Sequence, residues 1–297
     1  MKISIKVFVL VCSIFFVACN EQPKTMKNEA EKKSEEMKEA PVSKIEKRVA
    51  AAQERLEKSE AGKIVWKAME AHGGLKKWFS NGALSFRFNY QPLDGSTQRD
   101  SYQTIDTYSN RARHTSASDS TSHFGWDGKT AWMQAKDSTS FAYDTKFWAL
   151  TPIYFLGQPF ILDGQGVNLE LLPQQVYKEK NNDVVKVTFD AGTGDAPDDY
   201  YIFYFEEKTH QLSVIRYIVS YPKYFKDGGH SPEKFMDLSE YKTVEGITFP
   251  TLYKTHWLVE NEQPGEYITK IAVSDISFEK DLSQDFFKVP EGAEIVE

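Results

Sequence analysis

Histidines are the first side chains to consider for catalysis or metal binding, and the chain has six of them. They are His72, His114, His123, His210, His230 and His256. No two lie within eight residues of each other, and neither H-E-x-x-H nor H-x-H occurs. Metal-binding motifs usually place at least two ligands on one local element at short spacing. We therefore predict no metal site.

One histidine belongs to a suggestive motif, His72-Gly73-Gly74, which resembles the oxyanion-hole segment of lipases. That mechanism needs a G-x-S-x-G nucleophile elbow, and the chain contains none. His72 also continues an apolar series at spacings of three and four, after Val65, Ala68 and Met69, which indicates one buried helix face. We predict a packed histidine beside a bend at the two glycines.

Acidic residues offer a second kind of chemistry. Asp195, Asp198 and Asp199 are clustered, but the D-x-D-x-D-G calcium loop is absent, so we expect a solvated turn. Carboxylates are numerous, yet no spacing selects a glycosidase pair. The chain also lacks a phosphate loop, a dinucleotide fingerprint and a nucleophile with an evident base. The sequence therefore predicts a protein that is not an enzyme and holds no cofactor.

The two cysteines, Cys12 and Cys19, both lie near the N-terminus. Lys2 and Lys6 precede a 12-residue apolar run, Val7–Ala18, which is too short to span about 30 Å of hydrocarbon as a helix. This pattern is typical of a secretory signal peptide, residues 1–18. The run ends Phe16-Val17-Ala18-Cys19, similar to the bacterial lipobox, in which the cysteine is acylated and becomes the new N-terminus.

Acylation of Cys19 would anchor the protein to a membrane, because two or three acyl chains give stable membrane binding whereas one chain gives only weak, reversible binding. Asn20 follows the cysteine. An Asp at that position retains lipoproteins in the inner membrane, so we expect an outer-membrane lipoprotein, with the leaflet left open. An ordinary signal peptide with a chance cysteine is the alternative.

Residues 19–62 differ in composition from the rest of the chain. From Asn20 to Gly62 there is no aromatic residue, and eight Lys and two Arg balance ten Glu. Such a segment buries too little apolar area to offset its chain entropy. We expect a charged tether, with a polar helix possible over Val42–Glu60; partner binding is a less favoured alternative.

We predict that residues 63–297 form one domain. The whole chain has a net charge of −7 and a pI near 5.5. The residues before position 63 carry a net charge of +2, so this domain carries −9. An acidic domain is unsuited to binding a phosphate backbone, so no nucleic-acid partner is expected. The aromatic content of 14% favours strands.

Alternating apolar and polar residues over Leu84–Tyr90 indicate a half-buried strand, and similar patterns recur downstream. Asp94-Gly95, Asp127-Gly128 and Glu245-Gly246 each separate strand-like runs, as hairpin turns do. The apolar positions of the last alternating run shift by one residue near Ser274-Asp275, which predicts a β-bulge there. The pattern predicts a mainly β (α+β) fold, an antiparallel sheet curled around an N-terminal helix.

One segment interrupts the strands. Lys146–Leu156 is aromatic or aliphatic on every side, which predicts a short, buried helix. Thr151-Pro152 resembles an N-cap followed by proline at the first helical position. We expect this helix to close the open side of the sheet.

Three short motifs carry a resemblance to a known family. They are Ala71-His72-Gly73-Gly74 at a helix end, the G-x-x-F-P-T strand opening Gly246–Thr251, and the F-x-x-P-x-G ending within Asp285–Ala293. With the lipobox and the tether, they resemble a group of bacterial envelope lipoproteins and, through it, the LolA/LolB lipoprotein-carrier superfamily. The resemblance covers residues 63–297 and implies a half-open antiparallel β-barrel around a helix.

In that superfamily the cavity receives acyl chains of lipoproteins or other amphiphiles, and no catalytic residue is carried over. The resemblance therefore implies an anchored lipoprotein that binds a hydrophobic or lipidic ligand. Side-chain parity places the following candidate ligand-binding residues on the concave face and the helix: Trp66, Met69, Phe86, Phe88, Tyr217 and Val219. A structural or interaction protein with a filled barrel is the alternative, and a glycan-binding or hydrolytic surface lipoprotein is a less favoured one.

Overall fold

The computed structural model describes residues 43–137, 139–194, 196 and 198–297, so the predicted signal peptide, Cys19 and the predicted tether up to residue 42 lie outside it. Its helices are α1 (Lys44–Leu56), α2 (Glu60–Ala71), α3 (Leu75–Ser80) and α4 (Thr145–Leu156), with short 3-10 helices at Phe160–Asp163, Glu260–Glu262 and Gln284–Phe287. Its strands are β1 (Ala83–Pro92), β2 (Arg99–Asp106), β3 (Ala112–Ser116), β4 (His123–Trp126), β5 (Ala131–Gln134), β6 (Val167–Tyr177), β7 (Lys180–Phe189), β8 (Tyr201–Glu206), β9 (Leu212–Tyr217), β10 (Lys234–Val244), β11 (Ile247–Val259), β12 (Gln263–Glu279) and β13 (Glu294–Val296). None of the helices in the described part is long and apolar enough to cross a membrane.

All thirteen strands belong to one antiparallel sheet in the order β13-β5-β4-β3-β2-β1-β12-β11-β10-β9-β8-β7-β6. β13 and β6 do not pair with each other, so the sheet curls without closing into a barrel. The predicted fold class, a half-open antiparallel β-barrel with helices against its inner face, is confirmed.

The first strand follows its predicted pattern. Leu84, Phe86 and Phe88 are buried, while Arg87 forms an ion pair with Asp100 on the other face. The register between β1 and β12 shifts opposite this stretch, and Asp275 at the shift has a φ of 54°. The predicted bulge is confirmed.

The glycine pair breaks the predicted N-terminal helix into α2 and α3. Ser59 caps the start of α2 through the backbone N–H of Gly62. Gly73 has a φ of 122°, and a Cβ there would collide with the carbonyl oxygen of Gly246 in the β10–β11 turn. Only glycine combines this backbone conformation with so close an approach.

His72 fixes the same junction. Its Nδ1 donates to the carbonyl oxygen of Thr248 at 2.8 Å, and its Nε2 accepts from the backbone N–H of Leu212 at 3.1 Å. Both ring nitrogens are therefore occupied, which sets the tautomer, and burial lowers the pKa of the imidazole. The interpretation as a packed histidine is confirmed, and the lipase-like alternative has no free nitrogen to use.

Residues 44–62 differ from the expected solvated tether. α1 forms within the range of the predicted polar helix, but Ala52 and Leu56 on it are buried in the core. Residues from Lys44 onward form one compact unit with the sheet. The chain gains this packing because Ile45 and Val49 extend the same apolar stripe at helical spacing. We propose that the folded domain begins at Lys44 rather than at Lys63.

Candidate ligand cavity

A cavity of about 280 Å³ lies between α4, the 3-10 turn that follows it and the inner face of the sheet at its β6–β9 end. The side chains that surround it are mainly aromatic and aliphatic. Those from α4 and the following turn include Phe147, Leu150, Ile153, Tyr154, Phe155, Gln158 and Ile161, and those from the sheet and its connections include Val167, Phe189, Tyr201, Tyr217, Val219 and Tyr221. Several of them, such as Leu150 and Val219, are only half-buried, so the cavity is accessible from solvent.

The helix that roofs the cavity begins earlier than predicted. Asp144, rather than Thr151, is the N-cap, and its carboxylate accepts from the backbone N–H of Phe147 at 3.1 Å. Pro152 lies inside the helix, and the Thr151 hydroxyl donates to the carbonyl oxygen of Phe147. The predicted cap is wrong because an aspartate upstream competes for the same role, and capping by Asp is as favourable as by Thr. The predicted short buried helix is present.

His114 on β3 holds this helix to the sheet. Its Nε2 lies 2.8 Å from the carbonyl oxygen of Ala149 on α4, and its ring stacks on Phe124 with a centroid distance of 4.2 Å. His114 is fully buried, and burial lowers the pKa of its imidazole to about 4. The imidazole is therefore neutral at physiological pH, and its Nε2 carries the proton that it donates to Ala149.

The sheet side of the cavity is an aromatic wall. The rings of Tyr201 and Tyr217 stack across β8 and β9 with centroids 6.1 Å apart, and Phe155 from α4 lies 5.2 Å from Tyr217. Burial raises the pKa of both tyrosine hydroxyls, so neither carries charge in the physiological range. The wall offers apolar, uncharged surface to a ligand.

Three charged residues also line the cavity, and each has an ion-pair or hydrogen-bond partner: Arg48, Asp163 and Asp199. Arg48 on α1 binds Asp163 through Nε at 2.6 Å. The carboxylate of Asp199 accepts from the backbone N–H and the hydroxyl of Ser220, and burial raises its pKa. The predicted solvated turn describes Asp198, which is exposed, but not the half-buried Asp199; Asp195 lies outside the described residues.

Gln158 supplies a polar group at the cavity. Its Nε2 donates to the carbonyl oxygen of Tyr154 at 3.0 Å, near the end of α4. Its Oε1 is buried and has no hydrogen-bond partner within the described part of the chain. An unpaired buried acceptor costs about 1–3 kcal/mol, so a ligand that donates a hydrogen bond here would recover that energy.

Comparison with solved structures identifies the fold. A LolA superfamily protein from Nitrosomonas europaea superposes with a TM-score of 0.50 at 12% sequence identity, over 77% of this chain and 97% of that one. The chain therefore has a fold similar to that of this LolA superfamily protein. A DUF1329 family protein from Desulfovibrio piger is also similar, with a TM-score of 0.49 and 11% identity over 82% of this chain and 97% of that one. No protein-family model and no curated protein matches the sequence.

Within this LolA-like half-barrel, the structure brings two of the six predicted ligand-binding residues to the cavity, Tyr217 and Val219. Met69 and Phe88 are instead packed in the solid core, and Trp66 packs against it from a half-buried position. Phe86 is also buried and borders a separate cleft on the other face of the sheet. These four do not line the cavity because the helices fill their part of the half-barrel.

Sequence reasoning missed the residues of α4 and the turn after it. The sequence predicts a buried helix here, but hydrophobic residues on every side of a helix fit a filled core and a cavity wall equally well. Gln158 gave a weak signal, since it is a polar residue within an otherwise apolar stretch, between Gly157 and Pro159.

Proposed function

We propose that this protein is an envelope lipoprotein, anchored through Cys19, that binds one chain of a lipid or other amphiphile in the cavity beneath α4 and catalyses no reaction. The cavity itself is the observation that carries the proposal. Its walls are mainly aromatic and aliphatic, and solvent reaches it. Of the charged residues that line it, Arg48 and Asp163 are ion-paired and the Asp199 carboxylate accepts hydrogen bonds from Ser220. These properties favour an apolar chain over a charged substrate.

The size of the cavity favours a single chain. Its volume of about 280 Å³ is just below the ~300–1,000 Å³ typical of small-molecule sites. The three acyl chains of a mature lipoprotein would need considerably more space. A carrier role for such a substrate would therefore engage one of its chains at a time.

Gln158 gives the ligand an orientation. Its unpaired Oε1 accepts a hydrogen bond, which suits a hydroxyl, an amide N–H or a protonated carboxyl group. An ionised carboxylate has no proton to donate, so a fatty acid gains no hydrogen bond from this oxygen and binds through its hydrocarbon alone. We propose that the ligand places a neutral donor group beside Gln158 and its hydrocarbon against Tyr201 and Tyr217.

The amphiphile is best identified directly. The mature chain carrying Cys19→Ser, purified without detergent, is extracted with organic solvent and the extract analysed by mass spectrometry. We expect no more than one bound amphiphile per protein. It is either a single-chain lipid or a lipid with several chains, one of which enters the cavity. A preparation that holds no lipid and also fails to bind a fluorescent fatty acid would contradict the proposal and favour the structural alternative.

Anchoring is tested separately, because it rests on the lipobox. Cys19→Ser removes the acylated thiol, so we expect the protein to move from the membrane fraction to the soluble envelope fraction. Retention of the variant in membranes in detergent-free buffer would contradict the anchor. The outer membrane remains the proposed location, and fractionation of inner from outer membranes measures it.

The alternative of a structural protein has one observation in its favour. Much of the half-barrel is solid, with Met69, Phe86 and Phe88 all at most 2% exposed. A filled core in one half is compatible with a ligand in the other half. The two functions are separated by whether an amphiphile enters the cavity at all.

A further inference from the structure

A second concave site lies on the outer face of the sheet, where its residues form two cross-strand rows. One row runs from Ser85 through Thr104 to Arg113. The other runs from Tyr102 through Thr115 to His123. Together with the C-terminal 3-10 turn, the rows enclose a cleft of about 460 Å³.

Arg113 is the distinctive residue of this cleft. Arg87 and Arg216 on the sheet, and Arg111 just before β3, are paired with carboxylates at 2.7 Å. Arg99 on β2 does not line this cleft and lies instead against the rings of Tyr90, Tyr143 and Trp148. No carboxylate within the described ranges pairs with Arg113. Its guanidinium lies instead 5.5 Å from the ring centroids of Trp132 and Phe286.

The surroundings of Arg113 leave its charge uncompensated. Its Nη1 donates to the carbonyl oxygen of Phe286 at 3.4 Å, which uses one of five N–H donors. Burial and the charge of Arg113 lower the pKa of neighbouring His123. Asp119 acts on His123 in the opposite sense, but its oxygens accept from Thr121 and Ser122. The half-buried guanidinium of Arg113 therefore gives this cleft a local positive charge, which favours an anion.

Hydroxyl groups lie beside the guanidinium. Ser85 Oγ and Thr104 Oγ1 are 2.9 Å apart, and Thr115 Oγ1 lies 3.0 Å from His123 Nδ1. A hydroxyl has one donor and two acceptor sites, so each retains capacity for a ligand. The cleft therefore offers several neutral hydrogen-bonding groups next to one cation.

Two rings complete the cleft. Tyr102 is 47% exposed on the strand face, and half-buried Phe286 comes from the C-terminal turn. The guanidinium of Arg87 lies 5.6 Å from the centroid of the Tyr102 ring, so the ring face away from Arg87 is the one open to a flat apolar surface such as the C–H face of a sugar ring. We propose that this cleft binds an anionic sugar, carboxylated or phosphorylated, with its acidic group on Arg113, its hydroxyls on the serine and threonines, and its ring against Tyr102.

The chemistry of each element supports this ligand class. A guanidinium binds carboxylate and phosphate through two parallel N–H bonds, which are stronger than neutral hydrogen bonds. A neutral sugar would leave the Arg113 charge unused. Inorganic phosphate would leave the rings and hydroxyls unused. This site is independent of the inner cavity and of the proposed lipid binding.

The test is calorimetric titration of the mature chain carrying Cys19→Ser with four probes: glucuronate, glucose 1-phosphate, glucose and inorganic phosphate. We expect the two anionic sugars to bind at least ~10-fold more tightly than glucose and than inorganic phosphate. Equal affinity for glucose, or equal affinity for inorganic phosphate, would overturn the assignment of an anionic sugar.

Variants locate the site. Arg113→Gln is expected to weaken glucuronate binding at least ~10-fold, and Lys129→Gln, which removes one exposed charge from the β4–β5 turn, is expected to leave it unchanged. If Arg113→Gln does not fold, Tyr102→Ala serves instead, since that ring is largely outside the core. Glucuronate binding that survives Tyr102→Ala or Arg113→Gln unchanged would overturn the proposal.

Discussion

Arg48 and Asp163 form a two-pronged ion pair, with Nε 2.6 Å from one carboxylate oxygen and Nη2 3.0 Å from the other. The Asp163 side chain is only 5% exposed. Arg48 also donates to the carbonyl oxygen of Tyr108 and lies over the ring of Phe79. The first helix is thereby joined to the edge of the ligand cavity.

This relationship predicts that α1 contributes to stability. Arg48→Met should lower the free energy of unfolding by about 1–3 kcal/mol, because it leaves a buried carboxylate without its partner. Lys47→Met on the exposed side of α1 is the matched control and should change it by less than ~0.5 kcal/mol. Urea denaturation measures both. Equal stabilities of the two variants would show that residues 44–62 act as a tether after all.

His114 predicts a loss of stability on acidification. Its pKa in the folded state is about 4, below the ~6.5 of an unfolded chain, so the unfolded state binds more protons between these values. The stabilising contribution is therefore complete above pH 6.5 and falls by up to ~3 kcal/mol as the pH approaches 4. Denaturation at pH 7.0 and pH 5.0 measures the difference.

The His114 effect is isolated with a substitution. His114→Gln keeps a donor for the Ala149 carbonyl oxygen but cannot take up a proton, so its stability should depend less on pH than that of the parent. The variant keeps the pH dependence that comes from His72 and His123, whose pKa values are also lowered. Exposed His230 replaced by Gln is the control. An unchanged pH dependence in His114→Gln would contradict the buried neutral imidazole.

The elements that the sequence predicts well are those in which local and tertiary preferences agree. β1 alternates because one face meets the core and the other meets water, and that pattern is visible in the residues themselves. The His72 junction was predictable because a histidine on an apolar helix face beside two glycines has few alternatives. These features depend on residues close together in the chain.

The elements that the sequence predicts poorly depend on distant partners. α1 looks polar, and only its partners, such as Asp163, show that it belongs to the folded body. The cavity is formed by segments that start near Phe147, Val167, Phe189 and Tyr217, and no periodicity shows whether the space between them is filled. Side-chain parity correctly pointed Tyr217 inward, but it could not distinguish cavity from core.

Gln158 predicts a preference for hydrogen-bond donors. The mature chain carrying Cys19→Ser should bind dodecanol about 5-fold more tightly than its methyl ether, which cannot donate to Oε1, because a net hydrogen bond contributes ~1 kcal/mol. Gln158→Leu should lose this discrimination and still bind the ether. Displacement of a fluorescent fatty acid measures all four affinities. Discrimination that persists in Gln158→Leu would remove the glutamine from the site.

The central claim is that an amphiphile enters the cavity beneath α4, and Val219→Trp tests it most directly. The larger side chain fills cavity space without adding charge, so the free energy of unfolding should stay within ~1 kcal/mol of the parent, whereas overpacking a solid core would cost ~1–3 kcal/mol. Binding of a fluorescent fatty acid by the mature chain with Cys19→Ser should be lost in Val219→Trp. It should be retained in Val176→Trp, whose valine is 64% exposed on β6. Unchanged probe binding by Val219→Trp would contradict the account. So would a strongly destabilised Val219→Trp variant together with a parent protein that binds no probe.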